Sequence, residues 1–270
     1  MSQPKTDAPI LQADNLVKTF PISGASLFKK DVFTAVDNIS FDIRQGEMMG
    51  LLGESGCGKS TTAGMIMGLI SPTSGEIRYQ GRVISGLKDK AYRPYRRDIQ
   101  MVFQNPFDCL DPEITVGRLL AEPLTVWGIG ETKDERSRLI AEMLEACGLP
   151  ADCVGKKPPE FSGGQLQRIA IARALLVRPK FLVADEIVSA LDVPVQNQIL
   201  ELLMTMKDKM GLTVLFITHD LAVIRRIADR VMVMRGGKLL SIGETRAVLD
   251  TPEDDYIREL TQSAFIFRKT

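Results

Sequence analysis

The chain has 270 residues, with 34 basic side chains against 34 acidic ones and a 44% hydrophobic fraction. That length suits one large α/β domain or two small ones, and balanced charge provides no general field toward nucleic acid or anionic lipid. The opening MSQPKTDAPI lacks a charged-then-apolar secretory pattern, and runs such as TVLFI fall far short of the roughly 20 apolar residues that cross a bilayer, so a cytosolic chain is expected.

In chain order, NISFDIRQGEMMGLLG alternates at Ile39, Phe41 and Ile43, a half-buried strand, then runs apolar from Met48 to Leu52, a buried one. STTAGMIMGLI predicts a helix stopping near the turn SPTSG, and GEIRYQGRVI predicts a hairpin. Residues 105–160 hold six prolines, the one tryptophan and one well-marked helix. There Thr132 and Glu135 fit a capping box, Leu139, Ile140, Met143, Leu144 and Cys147 line one face, and Gly148 closes the end. EFSGGQLQRIAIARAL, residues 160–175, then sets Ser162, Gly163 and Gly164 before an apolar-striped helix. KFLVA is a buried strand, and residues 194–210 are a helix with Pro194 in its first turn and Gly211 after its end. TVLFI is a strand, DLAVIRRIA a helix, and RVMVM and KLLSI are strands around a Gly236-Gly237 turn. Buried strands alternating with helices predict a parallel sheet covered on both faces.

GESGCGKS, residues 53–60, fits G-x-x-x-x-G-K-[ST] between a buried strand and a helix, the setting of a phosphate-binding loop. Its glycines turn backbone N–H groups inward, Lys59 reaches the β- and γ-phosphates, and Ser60 is placed to hold magnesium. FLVADE ends an apolar strand in Asp185, suited to magnesium through water, and Glu186. In isolation Glu186 is equally well a solvated strand-end carboxylate; beside a phosphate loop it suits polarising an attacking water. TVLFITHD brings His219 to a strand end, where parallel sheets bind ligands, and suggests a γ-phosphate sensor. Gln104 in FQNPFD, taken alone, is more simply a polar loop residue. Cys57, Cys109, Cys147 and Cys153 form no C-x-x-C pair and His219 is the single histidine, so neither a Cys/His metal site nor disulfides are expected.

With these motifs in order, the sequence resembles the nucleotide-binding subunits of ABC transporters along almost its whole length. The matching stretches are the Walker A loop (53–60), the Q-loop Gln104, the signature FSGGQ (161–165), the Walker B FLVADE (181–186), the D-loop SALD (189–192) and the switch His219. AVDNISFDIRQGE, IQMVFQNPFDCLDP and EFSGGQLQRIAIARALLVRPK are most similar to the importer ATPases for oligopeptides, dipeptides, opines and nickel. The tail TPEDDYIRELTQSA looks like a short form of that group's P-x-x-x-Y-x-x-x-L segment.

The resemblance implies an α/β P-loop NTPase core with a mostly parallel sheet, an antiparallel β subdomain and an inserted α-helical subdomain. Residues 8–250 would form one nucleotide-binding domain, with 105–164 its helical subdomain and 251–270 a short tail. Phe20 would stack on adenine, and Gly53, Glu54, Ser55, Gly56, Cys57, Gly58, Lys59, Ser60 and Thr61 would hold ATP. Ser60, Gln104 and Asp185 would serve Mg2+, Glu186 would be the general base, and His219 and Gln104 would complete the catalytic set. Ser162, Gly163, Gly164 and Gln165 would act on the ATP of a second subunit, identical or paralogous, with the D-loop Asp192 between them. Two transmembrane permease subunits, and indirectly an extracytoplasmic solute-binding protein, are the implied partners, at the cytoplasmic face of the membrane; nucleic acid is not. An accessory ATPase of a soluble, phosphonate-cleaving type of complex is the alternative.

Four positions depart from the group's pattern: Ile187 where proline is common, Cys109 and Asp111 where Ser and Asn are usual, and Leu166 in place of an arginine. None removes a group that hydrolysis needs. Alkylation of Cys57 is expected to block activity, with MgATP protecting.

Overall fold

The computed structural model describes residues 9–22 and 32–266. Strands β1 (Pro9–Pro21), β2 (Val32–Arg44) and β3 (Met48–Leu52) lead into helix α1 (Lys59–Ile66), followed by β4 (Ser74–Tyr79), β5 (Arg82–Val83) and the single turn α2 (Asp89–Tyr92). Next come α3 (Tyr95–Asp98), β6 (Ile99–Val102), α4 (Val116–Val126), α5 (Lys133–Ala146), α6 (Gly163–Leu175), β7 (Phe181–Asp185) and α7 (Val193–Met210). The chain closes with β8 (Thr213–Thr218), α8 (Leu221–Ile227), β9 (Arg230–Arg235), β10 (Lys238–Glu244), α9 (Thr245–Asp250) and α10 (Asp255–Ile266). One compact unit joins the described residues of 1–93 and 213–270; the other is Pro94–Leu212.

In the first unit, β3 lies between β8 and β9, parallel to both, with β10 antiparallel on β9. Every residue of β3 and β8 is buried, as strands covered on both faces require. Gly236 and Gly237, at φ 53° and 81°, make the left-handed turn between β9 and β10. A separate antiparallel sheet runs in the order β2-β1-β4-β5. Its β4–β5 hairpin and the inward residues Ile39, Phe41 and Ile43 match the sequence pattern. Strand β1 has no such pattern, because bulges between Ala13 and Leu16, with Asn15 at φ 48°, break its alternation.

Buried Arg230 ties the two sheets together. Its guanidinium pairs with Asp42 at 3.0 Å on β2 and with Glu47 at 3.4 Å just before β3. Burial raises the Glu47 pKa, against the Arg44 amide and Arg230, which both lower it. This network fixes where β3 starts, and hence where the loop after it emerges.

In the second unit β6 and β7 pair in parallel, and α6 packs against α4, α5 and α7. Thr132 and Glu135 form the expected capping box on α5, Ile140, Leu144 and Cys147 are buried, and Gly148 turns the chain at φ 72°. Arg168 fills the space beside Gly148 and donates to the Cys147 carbonyl at 2.8 Å. Among the described residues, no helix is long and apolar enough to cross a membrane.

Candidate nucleotide-binding site

The 53–60 loop joins β3 to α1, as its strand–loop–helix context predicts. Gly56 and Gly58 adopt φ 78° and 109°, values at which a side chain is strained. Two close approaches fix the rest. A Cβ on Gly53 would lie 2.3 Å from the Met234 carbonyl oxygen, and one on Gly58 would lie 2.4 Å from that of Ala35. The β9–β10 turn clamps the loop further, with the Gly237 amide donating to the Cys57 carbonyl at 3.0 Å. Glu54, Ser55, Gly56 and Ser60 stay exposed and Thr61 half-buried, while Lys59 is 5% exposed. Its ammonium donates to the Gly53 and Glu54 carbonyls at 2.8 Å each, an arrangement that holds the charge inside the curl of the loop. Amides gathered at a helix N-terminus around a lysine form an anion site by the physics of dipoles and unsatisfied N–H groups.

Cys57 lies in this loop, yet its side chain turns inward. It is 5% exposed, its Sγ lies 2.7 Å from where a Gly53 Cβ would be, and burial raises its pKa despite the nearby Lys59. The expectation that alkylating Cys57 blocks activity thus concerns a buried thiol, in a residue whose amide donates to the Glu54 carbonyl at 3.3 Å. Phe20 is 36% exposed, lies opposite Phe33 in the β1–β2 register, and has the Lys18 ammonium 5.0 Å from its ring centroid. His219 is exposed just past the end of β8.

The second unit assembles an acidic corner. Asp185 ends β7, with its Oδ1 buried, and Glu186 follows in the left-handed region at φ 48°. A non-glycine residue held there costs on the order of 1 kcal/mol, so the surroundings must fix it. Ser189 does so by donating its hydroxyl to the Glu186 carbonyl at 2.9 Å. Gln104 Nε2 lies 3.4 Å from Glu186 Oε2 and 3.3 Å from Ser189 Oγ, so the Q-loop, Walker B and D-loop residues form one cluster. Ile187 is buried behind it. Sequence reasoning named Ser189 only as part of a motif and missed its hold on Glu186, a contact that no periodicity carries.

At the signature, Ser162 caps α6 in a reciprocal box with Gln165, at 3.4 Å and 3.0 Å. This leaves the Gly163 and Gly164 amides in the first turn, where an α-helix offers no internal acceptor. Asp192 caps α7 by a single bond, accepting from the Val195 amide at 2.9 Å.

Mg2+ prefers hard oxygen ligands and commonly uses one or two carboxylates together with phosphate and water. The Ser60 hydroxyl and Asp185 carboxylate are donors of that kind. Among the described residues no three His, Cys, Asp or Glu side chains gather into a cage that would hold a metal without such help.

The strand–loop–helix cradle and the acid-ended strand define a P-loop nucleotide-binding protein. A family model described as "ABC transporter" matches residues 36–189, and the chain belongs to that family. It is 46% identical over 254 residues to the glutathione import ATP-binding protein GsiA of Salmonella paratyphi A, covering 93% of this chain and 40% of that relative. It is 44% identical over 255 residues to a putative peptide import ATP-binding protein of Brucella ovis, covering 94% of this chain and 78% of that relative. Its fold is similar to the dimeric post-hydrolysis structure of the ATP-binding cassette MJ0796 bound to ADP and Pi. That match has TM-score 0.77 and 31% identity, over 87% of this chain and 99% of that one. CbiO1 from Clostridium perfringens, part of the ABC transporter complex cbiONQ, also gives TM-score 0.77, at 27% identity over 95% of this chain and 96% of that one. The fold is thus that of an ABC nucleotide-binding domain, with a mostly parallel sheet, an antiparallel subdomain and a helical portion.

Proposed function

We propose that this chain binds and hydrolyses ATP as the nucleotide-binding subunit of an importer for peptides or a peptide-like solute such as glutathione. Identity of 44–46% to peptide and glutathione import proteins, over more than nine-tenths of the chain, supports the importer reading. For hydrolysis, the observation that carries the reading is the 53–60 loop, whose Lys59 is held on two loop carbonyls at 2.8 Å.

The amides of Gly56, Cys57, Gly58 and Lys59 bind phosphate oxygens, and Lys59 exchanges carbonyl partners for the β- and γ-phosphates. Ser60, Asp185 and Gln104 would hold Mg2+, which would supply charge neutralisation at the phosphates. Glu186 accepts the proton of the attacking water, while Gln104 and His219 orient water and γ-phosphate. Phe20 supplies a stacking face for adenine. The amides of Gly163 and Gly164, beside Ser162 and Gln165, meet the γ-phosphate held by a second subunit, so efficient turnover needs a dimer. Dimeric MJ0796 lends support to that arrangement. Two permease subunits at the cytoplasmic face of the membrane would receive the work.

Glu186→Gln tests the chemistry. The expected outcome is retained ATP binding, turnover lower by about 10²–10⁴-fold, and an ATP-stabilised dimer on size exclusion. Full turnover would remove Glu186 from the base role. Purification in detergent tests the setting: membrane permeases are expected to accompany the chain, and soluble lyase subunits in their place would overturn the importer reading.

A further inference from the structure

Helix α6 buries one polar side chain among its apolar ones. Leu166, Ile169 and Ala170 are buried, and Gln167 beside them is 2% exposed. A side-chain amide taken out of water needs a hydrogen-bond partner to offset the loss. The Gln167 amide nitrogen finds one in the Phe103 carbonyl, donating at 3.4 Å. Phe103 follows the end of β6, whose last pair with β7 is Val102 with Ala184. Its carbonyl therefore lies past the β6–β7 ladder, and the bond comes from α6 instead.

Phe103 immediately precedes Gln104, so this bond fixes the peptide from which Gln104 starts. On the other side, the Asn105 side chain accepts from the Phe107 amide at 3.2 Å and opens the single turn Pro106–Asp108, which packs against α6. Gln104 itself is exposed, and its Nε2 reaches Glu186 Oε2 at 3.4 Å and Ser189 Oγ at 3.3 Å. A glutamine side chain has much rotamer freedom to lose, so the place of its backbone decides whether its amide meets Glu186.

We propose that Gln167 is a positioning residue for Gln104: its bond to the Phe103 carbonyl sets the point from which Gln104 reaches Glu186 and serves Mg2+ and the attacking water. This rests on the ATP-hydrolysis reading above. At 2% exposure Gln167 cannot itself meet a ligand, so its effect passes through Gln104. That effect falls on turnover and on Mg2+ dependence, and leaves ATP affinity to the phosphate loop.

Gln167→Met keeps an unbranched side chain of similar length and removes the donor. ATP turnover of the full chain is expected to fall about fivefold, with the Kd for fluorescent mant-ATP within about twofold of the unmodified chain's. The Mg2+ concentration for half-maximal turnover is expected to rise about threefold. Amide hydrogen exchange is expected to speed up over residues 104–110 while the α5 and α7 amides stay as slow as before. Because Gln167 acts through Gln104, Gln104→Ala combined with Gln167→Met should turn over within about twofold of Gln104→Ala alone.

Unchanged turnover and Mg2+ dependence in Gln167→Met would overturn the proposal. So would losses that multiply in the double variant, since Gln167 would then act by another route. Faster exchange spread evenly through α5 and α7, with affinity and turnover falling together, is plain destabilisation and overturns it as well. If Gln167→Met does not fold, Gln167→Leu carries the same measurements. If the unmodified chain hydrolyses no ATP, that reading fails by itself, and exchange over residues 104–110 in Gln167→Met still decides whether Gln167 holds this stretch.

Discussion

Gly164 invites a test in which structure and motif point to different roles for one residue. It is buried in the first turn of α6, and a Cβ there would lie 2.4 Å from Cγ1 of Val195 on α7. Gly164→Ala therefore places a methyl inside the contact distance of a β-branched side chain with few alternative rotamers. Alanine gains about 1 kcal/mol over glycine in a helix. Relieving the overlap costs about 1–3 kcal/mol, so the net loss is about 0–2 kcal/mol. Val195→Ala removes the obstacle and leaves the propensity gain, so the double variant should exceed the sum of the singles by about 1–3 kcal/mol. Urea denaturation of the four proteins measures this coupling, and additivity within about 0.5 kcal/mol would refute the packing argument. The Cβ direction of Gly164 leads into Val195, so ATP turnover is expected to return with stability in the double variant. At Gly163 a Cβ would meet only Leu191 Cδ2 at 3.6 Å, an ordinary contact. Lost turnover in Gly163→Ala with an unchanged melt would then report on nucleotide alone.

Ser189→Ala removes the hydroxyl that donates to the Glu186 carbonyl at 2.9 Å. A hydrogen bond of about 1 kcal/mol predicts turnover lower by roughly fivefold with unchanged nucleotide affinity, and a change confined to affinity would contradict the positioning role. The thiols give a pH prediction. Burial pushes the Cys147 thiol up from 9.0 to about 12 and raises Cys57 in the same direction. A raised thiol pKa lowers the thiolate fraction at neutral pH, so iodoacetamide labelling of native protein at pH 8 should be slow at Cys57 and absent at Cys147. Labelling at Cys57 should accelerate as pH rises beyond the ordinary thiol range. Mass spectrometry reads both sites, and Cys57 reacting as fast as a free thiol at pH 8 would show the loop opening to expose it.

Local chemistry made much of this protein readable from sequence. The apolar run Met48–Leu52, the glycine loop and the following helix depend on neighbours within a few residues, as do the α5 capping box and the Gly236-Gly237 turn. Strand β1 escaped because its bulges destroy the period of two, and its identity as a strand comes from pairing with β2 and β4. The site divides along the same line. Lys59 at the start of α1, Asp185 at the end of β7 and Glu186 just after it stand out by spacing, since the motifs that carry them are read from neighbours within a few residues.

Which way each side chain turns was decided elsewhere. Cys57 occupies a binding motif yet faces inward, because Met234 backs the loop from a strand about 180 residues later in the chain. Gly164 is small because Val195 of another helix stands against it, and Glu186 keeps its left-handed backbone under Ser189. The sequence by itself determined the order of strand, loop and helix and the chemical groups they carry. Tertiary packing alone decided which of those groups are exposed to a ligand and which support the others, since that depends on contacts between residues far apart in the chain.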